Sequence, residues 1–279
     1  MKDFQGRTAV VTGGASGIGY GLAERFGEAR MNVVLADIEE AALEKAVKQL
    51  AERQHQVTGV VTDTMRKDSI VDLLEAAKAQ YGNVHILCNN AGVATMGGNY
   101  RGIWEVPDKD WEWTMGVNFY GVLYGIQTFV PHMLEHGEPS HIVNTASLAA
   151  LVPGGGAYGV SKHGVLVISE ALYMNLKAQD ANIGVSVLCP GFVDTNIDNA
   201  DRNRPAEFDS GRKASDEQRA MLRSRLEAGK SPAEIAEIVF ESIERDALYI
   251  LPHPELDGAV QRRVEQVLAR GGLDMSGRL

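Results

Sequence analysis

Apolar and polar positions alternate along this chain with two different periods. Short apolar runs rich in Val, Ile and Leu recur from residue 8 to about residue 251, and longer segments of helical period separate them. Such runs are typical of strands buried on both faces of a sheet, and the helical segments between them are typical of βαβ units. Seven strands are predicted, at 8–12, 32–36, 57–61, 86–89, 141–145, 184–189 and 248–251.

The segments between and after these strands predict helices at 17–29, 39–53, 67–81, 109–136, 156–179 and 231–245. Because connections between parallel strands are right-handed, the helices should cover both faces of the sheet. The pattern therefore predicts an α/β fold: a doubly wound parallel sheet of seven strands. Residues 1–279 are expected to form one domain, although the length alone would also allow two.

Two stretches interrupt the regular pattern. Residues 93–107 are rich in Gly and contain Tyr100 and Trp104, and residues 192–215 are polar, charged and too long for an ordinary connection. Long loops on such a sheet are usually functional, so we expect both to form walls or lids of a pocket, the second within a substrate loop at about 192–230. Residues 252–279 should form a C-terminal extension with an amphipathic helix at 256–270.

The composition narrows the possible partners. The chain has 279 residues with 27 basic and 37 acidic side chains, a formal net charge of −10, which repels phosphate backbones and anionic membrane surfaces. No apolar run approaches the roughly 20 residues that span a bilayer, and no secretory signal begins the chain, so we expect a cytoplasmic protein without nucleic-acid or membrane partners. Cys88 and Cys189 lie in or beside predicted strands, which favours reduced core thiols over a disulfide or metal pair.

A glycine cluster follows the first predicted strand directly. The segment from Gly13 to Gly19 reads Gly-Gly-Ala-Ser-Gly-Ile-Gly and leads into a predicted helix. At such a turn, main-chain N–H groups and the helix N-terminus attract a diphosphate. A tight structural turn would have the same glycines, but the order strand, turn, helix favours a dinucleotide site.

An acidic residue then indicates which dinucleotide is bound. Asp37 ends the second predicted strand, where the adenosine ribose of a dinucleotide would lie, and its carboxylate can accept hydrogen bonds from both ribose hydroxyls. A 2′-phosphate would be repelled, and Ile38, Glu39 and Glu40 provide no Arg to compensate, so NAD(H) is expected rather than NADP(H). A simple helix cap at Asp37 is the alternative explanation.

One predicted helix carries a tyrosine and a lysine four residues apart. Tyr158 and Lys162 share a helix face, so their side chains are neighbours. Tyrosine titrates near pH 10. A cation at about 4 Å stabilises the ionised phenol by up to roughly 4 kcal/mol at an effective dielectric constant of about 20, which would lower the phenol pKa toward neutral pH. Such pairs are common on helix surfaces, so their context has to support this interpretation.

That context resembles the short-chain dehydrogenase/reductase family. The glycines from 13 to 19, the Asn-Asn-Ala-Gly segment at 89–92, Asn118, Ser147, the Tyr158/Lys162 pair and Pro190-Gly191 follow the order and approximate spacing of that family's motifs. The resemblance is close over about residues 6–195 and looser over 231–251. It implies a Rossmann-type fold and an enzyme that interconverts a secondary alcohol and a ketone without a metal.

The resemblance also implies catalytic roles. Tyr158 would exchange a proton with the substrate oxygen, and Lys162 would lower the Tyr158 pKa and bind the nicotinamide ribose. Ser147 would orient the substrate oxygen, and Asn118 would hold a water that links Lys162 to solvent. The interval from Ser147 to Tyr158 is shorter than is usual in the family, which indicates a shortened loop at 151–155 and leaves Thr145 as an alternative to Ser147.

The cofactor contacts implied by the resemblance extend along the whole dinucleotide. Asp63 would meet the adenine amino group, Asn90 would support the adenosine half, and residues 190–195 would contact the nicotinamide. The expected NAD-binding residues are Gly13, Ser16, Gly17, Ile18, Gly19, Asp37, Asp63, Thr64, Asn90, Ala91, Gly92, Tyr158, Lys162, Pro190, Gly191, Val193 and Thr195. Since the family is mostly tetrameric through the helices at 109–136 and 156–179, a homo-oligomer, tetramer or dimer, is expected.

Several other features of the sequence bear on the substrate. Tyr100, Trp104 and Phe192 favour a bulky or aromatic substrate, and the stretch from Ala247 to Leu256 resembles a branch of the family that acts on lignin-derived aryl alcohols. The long loop also contains a basic cluster formed by Arg202, Arg204, Arg212 and Lys213. A solvated lid is the favoured interpretation of this cluster, and recognition of a substrate carboxylate or phosphate is the alternative.

Two other interpretations compete with a metal-free dehydrogenase. His132 and His136 have a spacing that can bind zinc, but their place at a helix end favours a solvated terminus, and no metal is expected. A catalytically silent NAD-binding sensor or assembly subunit is the alternative function. Such proteins commonly lose one of the four catalytic residues, and this chain has all four.

Overall fold

The predicted strands pair in parallel. The computed structural model describes residues 1–95, 101–212 and 214–273. Within them the sheet has seven strands in the order β3-β2-β1-β4-β5-β6-β7, and every pairing is parallel. The strands are β1 (Thr8–Thr12), β2 (Asn32–Asp37), β3 (Gln56–Val61), β4 (Ile86–Asn89), β5 (Ser140–Thr145), β6 (Ile183–Leu188) and β7 (Tyr249–Ile250). The predicted α/β fold, a doubly wound seven-stranded sheet, is confirmed.

The helices connect these strands and cover both faces of the sheet. They are α1 (Gly17–Glu28), α2 (Glu40–Glu52), α3 (Lys67–Tyr81), α4 (Asp108–Met115), α5 (Gly121–His136), α6 (Gly156–Ala178), α7 (Asp216–Glu227), α8 (Pro232–Glu244) and α9 (Asp257–Leu268). A wider π turn at Gly116–Tyr120 joins α4 to α5. The single helix predicted at 109–136 is therefore interrupted by a change of helical pitch. None of the helices in the described ranges is long and apolar enough to cross a membrane.

Alternate residues of β1 belong to two different cores. Ala9 and Val11 pack on the face that carries α1 and α8, while Val10 packs on the face that carries α3 and α5. This alternation follows from the two-residue period of a strand, and because both faces are covered, every residue of β1 is apolar or a buried Thr. The buried strands fix the edge at which their carboxyl ends meet.

The strand order reverses beside β1, and this reversal creates the site. From β1 the chain proceeds outward to β2 and β3, and it then returns to β4 on the other side of β1. In open α/β sheets, ligands bind in the crevice at the carboxyl ends of the strands at such a reversal. The turns after β1, β2, β4, β5 and β6 all open into that crevice.

One element was missing from the sequence prediction. Residues 192–230, expected to form a substrate loop, contain α7 and two short 3-10 turns, Ile197–Asn203 and Ala206–Phe208. Helix α7 is strongly polar, so its apolar period is weak. Its start was nevertheless readable from the sequence, because Ser215 and Gln218 form a capping box of the same kind as Ser231 and Glu234 at α8.

Candidate active site

A cleft of about 1000 Å³ runs along the carboxyl ends of the strands. It brings together nearly all of the residues that the sequence nominated. The nominated residues that line it are Gly13, Ser16, Gly17, Ile18, Asp37, Asp63, Thr64, Asn90, Ala91, Gly92, Ser147, Tyr158, Lys162, Pro190, Gly191, Val193 and Thr195. The other two, Gly19 and Asn118, lie behind its wall.

The glycine turn lies against the segment that follows β4. A Cβ on Gly13 would come within 2.9 Å of Ala91 Cα, and a Cβ on Gly19 would come within 2.1 Å of the Gly13 carbonyl oxygen. No side chain fits at either position, and Gly13 has the positive φ of +63° that glycine adopts readily. Ser16 begins α1, so the free N–H groups at the start of that helix face the cleft.

Asp37 is held at the end of β2 with its carboxylate facing the glycine turn. Its Oδ2 accepts a hydrogen bond from the Ala15 N–H at 3.0 Å, and its Oδ1 accepts one from the Glu39 N–H at 3.1 Å. Each carboxylate oxygen can accept a further hydrogen bond. The N-cap residue of α2 is Glu39, so the alternative explanation of Asp37 as a simple helix cap is wrong.

Asn90 and Asp63 each bond to the main chain beside the cleft. The Asn90 amide donates to the Thr12 carbonyl at 3.1 Å, which ties the end of β1 to the segment after β4. Asp63 accepts the Met65 N–H at 2.9 Å through Oδ1. Both side chains therefore have fixed orientations, and Asp63 keeps its second carboxylate oxygen for a further donor.

Ser147 and Tyr158 meet in the middle of the cleft. The Ser147 side chain lies close enough to the Tyr158 phenol to lower the phenol pKa through a hydrogen bond. Thr145, the alternative to Ser147, bonds elsewhere: its hydroxyl donates to Asn90 Oδ1 at 3.4 Å, and its carbonyl accepts Lys162 Nζ at 2.8 Å. The geometry therefore favours Ser147 as the hydroxyl partner of the phenol.

The connection between Ser147 and Tyr158 is short because it turns sharply on glycine. Gly154, Gly155 and Gly156 have φ values of +112°, +82° and +53°. Side-chain-bearing residues rarely adopt these conformations, and three consecutive glycines allow the chain to enter α6 directly. The shortened loop predicted at 151–155 is thus compatible with contact between Ser147 and Tyr158.

The electrostatics of this pair differ from the sequence expectation. Burial raises the pKa of the Tyr158 phenol, although part of the ring faces the cleft, and the hydrogen bond from Ser147 only partly offsets this. Lys162 Nζ lies 5.8 Å from the Tyr158 ring centre, and burial lowers the pKa of Lys162 to about 8. In the chain without cofactor the pKa of Tyr158 is thus raised, not lowered, because the burial of the phenol dominates.

Asn118 braces the site from behind. It is fully buried in the π turn, where its Oδ1 accepts the Val93 N–H at 2.8 Å. Its amide nitrogen donates to the Val93 carbonyl at 2.9 Å and to the Ser161 hydroxyl at 3.0 Å, so both of its N–H groups are used. Any water held by Asn118 must therefore bond to one of its oxygens.

Two arginines of the predicted basic cluster form ion pairs. Arg202 lies 2.6 Å from Glu39 Oε1, and Arg204 lies 2.5 Å from Asp110 Oδ1 with its guanidinium over the Trp113 ring. These pairs tie the segment 197–208 to the start of α2 and to α4. That this segment acts as a lid stays a prediction. Lys213 lies outside the described residues.

The predicted aromatic wall is only partly present. Phe192 lines the cleft, whereas Trp104 is 76% exposed and does not line it. Tyr100 lies outside the described residues. The remainder of the substrate end is mainly aliphatic, formed by Val152, Pro153, Leu222, Leu226 and Leu256.

Sequence reasoning missed a histidine that fixes the segment after β6. His253 is buried, its Nδ1 accepts the Gly191 N–H at 3.1 Å, and its Nε2 lies 3.0 Å from the Phe192 carbonyl. Because Nδ1 is the acceptor, Nε2 carries the hydrogen and donates. The Pro-His-Pro sequence after β7 was the available signal for this contact.

His132 and His136, whose spacing can bind zinc, form hydrogen bonds with the main chain instead. The Val84 N–H donates to His132 Nε2 at 3.1 Å, and the Val84 carbonyl lies 3.1 Å from His136 Nε2. Over the ranges that the structure covers, no three His, Cys, Asp or Glu side chains are grouped to hold a metal. Cys88 and Cys189 are buried and unpaired, as predicted.

Comparison with known proteins identifies the family of this chain. Residues 7–206 match the short chain dehydrogenase family. The chain belongs to the short-chain dehydrogenase family. Its cleft is therefore the site of an oxidoreductase, and the resemblance of the motifs is confirmed.

Relatives that match nearly the whole chain include two bacterial dehydrogenases. A CLA biosynthesis dehydrogenase/reductase from Lactiplantibacillus plantarum is 32% identical, over 99% of this chain and 98% of its own length. A C alpha-dehydrogenase from Sphingobium sp. strain SYK-6 is 35% identical, over 96% of this chain and 87% of its own length.

Solved structures of the family have the same fold over the same length. A short-chain dehydrogenase/reductase from Burkholderia phymatum in complex with NAD is 37% identical, covers both chains completely and has a TM-score of 0.95. LigD in its apo form, from Sphingobium sp. strain SYK-6, is 29% identical over 98% of this chain and all of its own, with a TM-score of 0.79.

Proposed function

We propose that the protein is an NAD(H)-dependent oxidoreductase that interconverts a secondary alcohol and a ketone, with Tyr158 as the acid and base. The observation that carries the proposal is the contact between Ser147 and Tyr158 within the same cleft as the glycine turn, Asp37 and Lys162. A phenol, a hydroxyl partner and a buried cation beside a dinucleotide turn are the groups that such a reaction requires.

The residues present fit a dinucleotide. The turn at Gly13 and Gly19 excludes side chains, and the start of α1 offers N–H groups to a diphosphate. Asp37 has acceptor capacity left for the ribose hydroxyls and would repel a 2′-phosphate, while the nearby Arg202 is paired with Glu39. The similar Burkholderia phymatum protein has NAD bound. When bound, NAD supplies the carbon that accepts or returns the hydride.

The proton chemistry belongs to Tyr158 and Ser147. In the direction of ketone reduction, the Tyr158 phenol donates its proton to the carbonyl oxygen, and Ser147 donates a hydrogen bond to the same oxygen. A buried phenol with a raised pKa stays protonated at neutral pH and is ready for this step. In the direction of oxidation the alcohol proton returns to the phenolate.

Lys162 stabilises the phenolate form. Its pKa of about 8 leaves it mostly protonated at neutral pH, and its ammonium is anchored on the Thr145 carbonyl. We assign to it the ribose hydroxyls of the nicotinamide half and, through a water that bonds to an oxygen of Asn118, a path by which protons reach solvent. A Cβ at Gly92 would lie 3.3 Å from Lys162 Nζ and 3.4 Å from Asn118 Oδ1, so the two groups lie on one side of Gly92.

The substrate end of the cleft suits a bulky molecule. Phe192 and the aliphatic residues beside it form a wide apolar wall next to Tyr158. The similarity to a C alpha-dehydrogenase makes aryl secondary alcohols the first compounds to test, followed by steroid and aliphatic alcohols.

The test is the rate of NADH formation by the purified protein with this panel of alcohols, compared with the Tyr158→Phe variant. Removal of the acid and base should lower turnover by about a hundredfold to ten-thousandfold, while calorimetry shows NAD binding within about twofold of the wild type. Tyr249→Phe is the matched control, because Tyr249 bonds Glu170 at 2.8 Å outside the cleft.

Two results would contradict the proposal. Near-normal turnover by Tyr158→Phe would exclude Tyr158 as the acid and base. Tight NADH binding by the wild type without turnover of any alcohol or ketone in the panel would support the silent sensor or assembly subunit instead.

A further inference from the structure

Helix α9 forms one wall of the cleft at its substrate end. Leu256, just before this helix, lines the cleft together with Ala259, Arg262, Arg263 and Gln266. Steps of three and four residues place these side chains on one face of a helix, so α9 presents a continuous stripe to the cleft. Two guanidinium groups belong to that stripe.

Arg263 is anchored on the short turn that follows Ser147. Its Nη1 donates to the Ala150 carbonyl at 3.1 Å, and Ala150 ends the short turn that begins after Ser147. This hydrogen bond uses one of the five N–H donors of the guanidinium. The remaining donors stay available beside the site where Ser147 and Tyr158 meet.

Neither arginine has an acidic partner among the residues that the structure describes. Arg262 is exposed and forms no ion pair or hydrogen bond, and Arg263 bonds only to a carbonyl, as far as the described ranges 1–95, 101–212 and 214–273 extend. Arg202 and Arg204, which the sequence offered as anion ligands, are instead neutralised by Glu39 and Asp110. Apart from Lys162, the unpaired positive charges among the described residues of the cleft therefore lie on α9.

The acidic groups of the cleft lie at its other end. Asp37, Glu39 and Asp63 follow β2 and β3, at the end assigned to adenosine. Two unpaired arginines on a concave wall are not a by-product of a basic surface, because the chain as a whole has a formal net charge of −10. Apolar side chains line the same cleft, among them Val152, Phe192 and Leu256.

We infer that Arg262 and Arg263 form an anion subsite for the substrate, which is a hydroxy or oxo compound with an apolar body and a carboxylate at the end remote from the reacting carbon. This inference rests on the proposed function for the position of the reacting carbon. A planar guanidinium matches a carboxylate in two parallel hydrogen bonds, and the apolar wall accommodates the body between the two ends.

The first experiment compares an acid with its methyl ester. Two pairs cover a short and a long body: para-(α-hydroxyethyl)benzoate and a mid-chain hydroxy fatty acid, each assayed beside its ester with NAD. Loss of a charge-assisted contact costs about tenfold or more, so the wild type should prefer at least one acid by that factor in kcat/KM. In Arg262→Gln/Arg263→Gln the preference should disappear, because KM rises for the acid and not to the same extent for its ester.

Arg270→Gln is the control, because it removes the same charge just after α9 but does not line the cleft. It should keep the wild-type preference. Turnover of both esters and acids at equal kcat/KM by the wild type, or an unchanged preference in the double variant, would overturn the anion subsite while leaving the proposed function intact.

A binding measurement decides the matter if no compound is turned over. Calorimetry of the wild type with phenylbutyrate and with phenylbutyramide should show tighter binding of the carboxylate by about tenfold, and the double variant should bind both alike. Equal affinity of the wild type for the two compounds would refute the subsite. Failure of turnover alone refutes only the proposed reaction.

Discussion

Lys162 is buried although its role requires a positive charge. Burial lowers its pKa from the ordinary 10.5 to about 8, so the folded chain by itself disfavours the ammonium form. Between these two values the unfolded chain binds more protons than the folded chain, and stability therefore rises as pH increases through that range. The same desolvation keeps the phenol of Tyr158 protonated, so the two residues are tuned in opposite directions.

This tuning predicts a pH-dependent effect of Lys162→Met. The variant removes the buried charge, so it should gain stability relative to the wild type at low pH. The difference in the free energy of unfolding, variant minus wild type, should be roughly 2 kcal/mol larger at about pH 7 than at about pH 10. Urea denaturation of the chain without cofactor at the two pH values measures this difference. Lys67→Met, at an exposed position bonded to Gln127, should show no such change, and a pH-independent difference for Lys162→Met would contradict the prediction.

At the residue scale, the sequence predicted which residues meet but not how they titrate. Tyr158, Lys162 and Ser147 lie together because the strand ends converge, which the period of the pattern already implies. The raised pKa of Tyr158 depends on the amount of protein around one hydroxyl, and no spacing along the chain contains that information. Whether these residues catalyse the reaction stays a prediction for the Tyr158→Phe experiment.

At the scale of elements, the segment after β7 holds the residues that follow β6 in place. His253 bonds both the Gly191 N–H and the Phe192 carbonyl, and through them it fixes the segment 190–195. Without the imidazole, two part-buried main-chain groups lose their partner; about 1–3 kcal/mol is the upper end of the cost, which applies to fully buried groups.

We therefore expect His253→Ala to weaken cofactor binding more than it slows the chemical step. Calorimetry should show a higher Kd for NAD, steady-state kinetics should show a higher KM for NAD with a smaller change in kcat, and thermal melting should show a lower Tm. His55→Gln, remote from the cleft, serves as the control for a lost histidine. An unchanged Kd for NAD in His253→Ala would show that the segment 190–195 does not depend on this brace.

Two elements show the limits of prediction at this scale. Helix α7 was missed because its polar sequence has no clear apolar stripe, whereas its capping box at Ser215 was visible. The π turn at Gly116–Tyr120 has no signature in a single sequence, since the same residues are compatible with a regular helix. Its presence depends on where Asn118 must reach to bond Val93 and Ser161.

For the whole molecule, α6 carries an apolar stripe that the fold leaves uncovered. Val160, Val167 and Met174 follow one another at intervals of seven residues, and they are 47%, 49% and 62% exposed. A seven-residue interval returns to nearly the same side of a helix, so the three side chains form one seam. An uncovered apolar seam on a long helix is typical of a surface that packs against another chain.

This seam supports the expected homo-oligomer and gives it a test. Val167→Glu places a charge at the centre of the seam and should shift the protein toward smaller species in sedimentation velocity, without loss of secondary structure. Val71→Glu, at a 41% exposed position on α3, is the matched control and should sediment as the wild type. A wild-type protein that is monomeric at micromolar concentration would exclude the oligomer.

The ion pair between Glu39 and Arg202 joins the lid to the strand end where adenosine is expected to lie. Its two side chains are each 30% exposed, so the pair is partly screened by solvent and weakens with ionic strength. A dinucleotide enclosed beneath this pair could leave only after the pair separates. Release of spent cofactor should then become faster as ionic strength rises, even though no charge on the reacting carbon has changed.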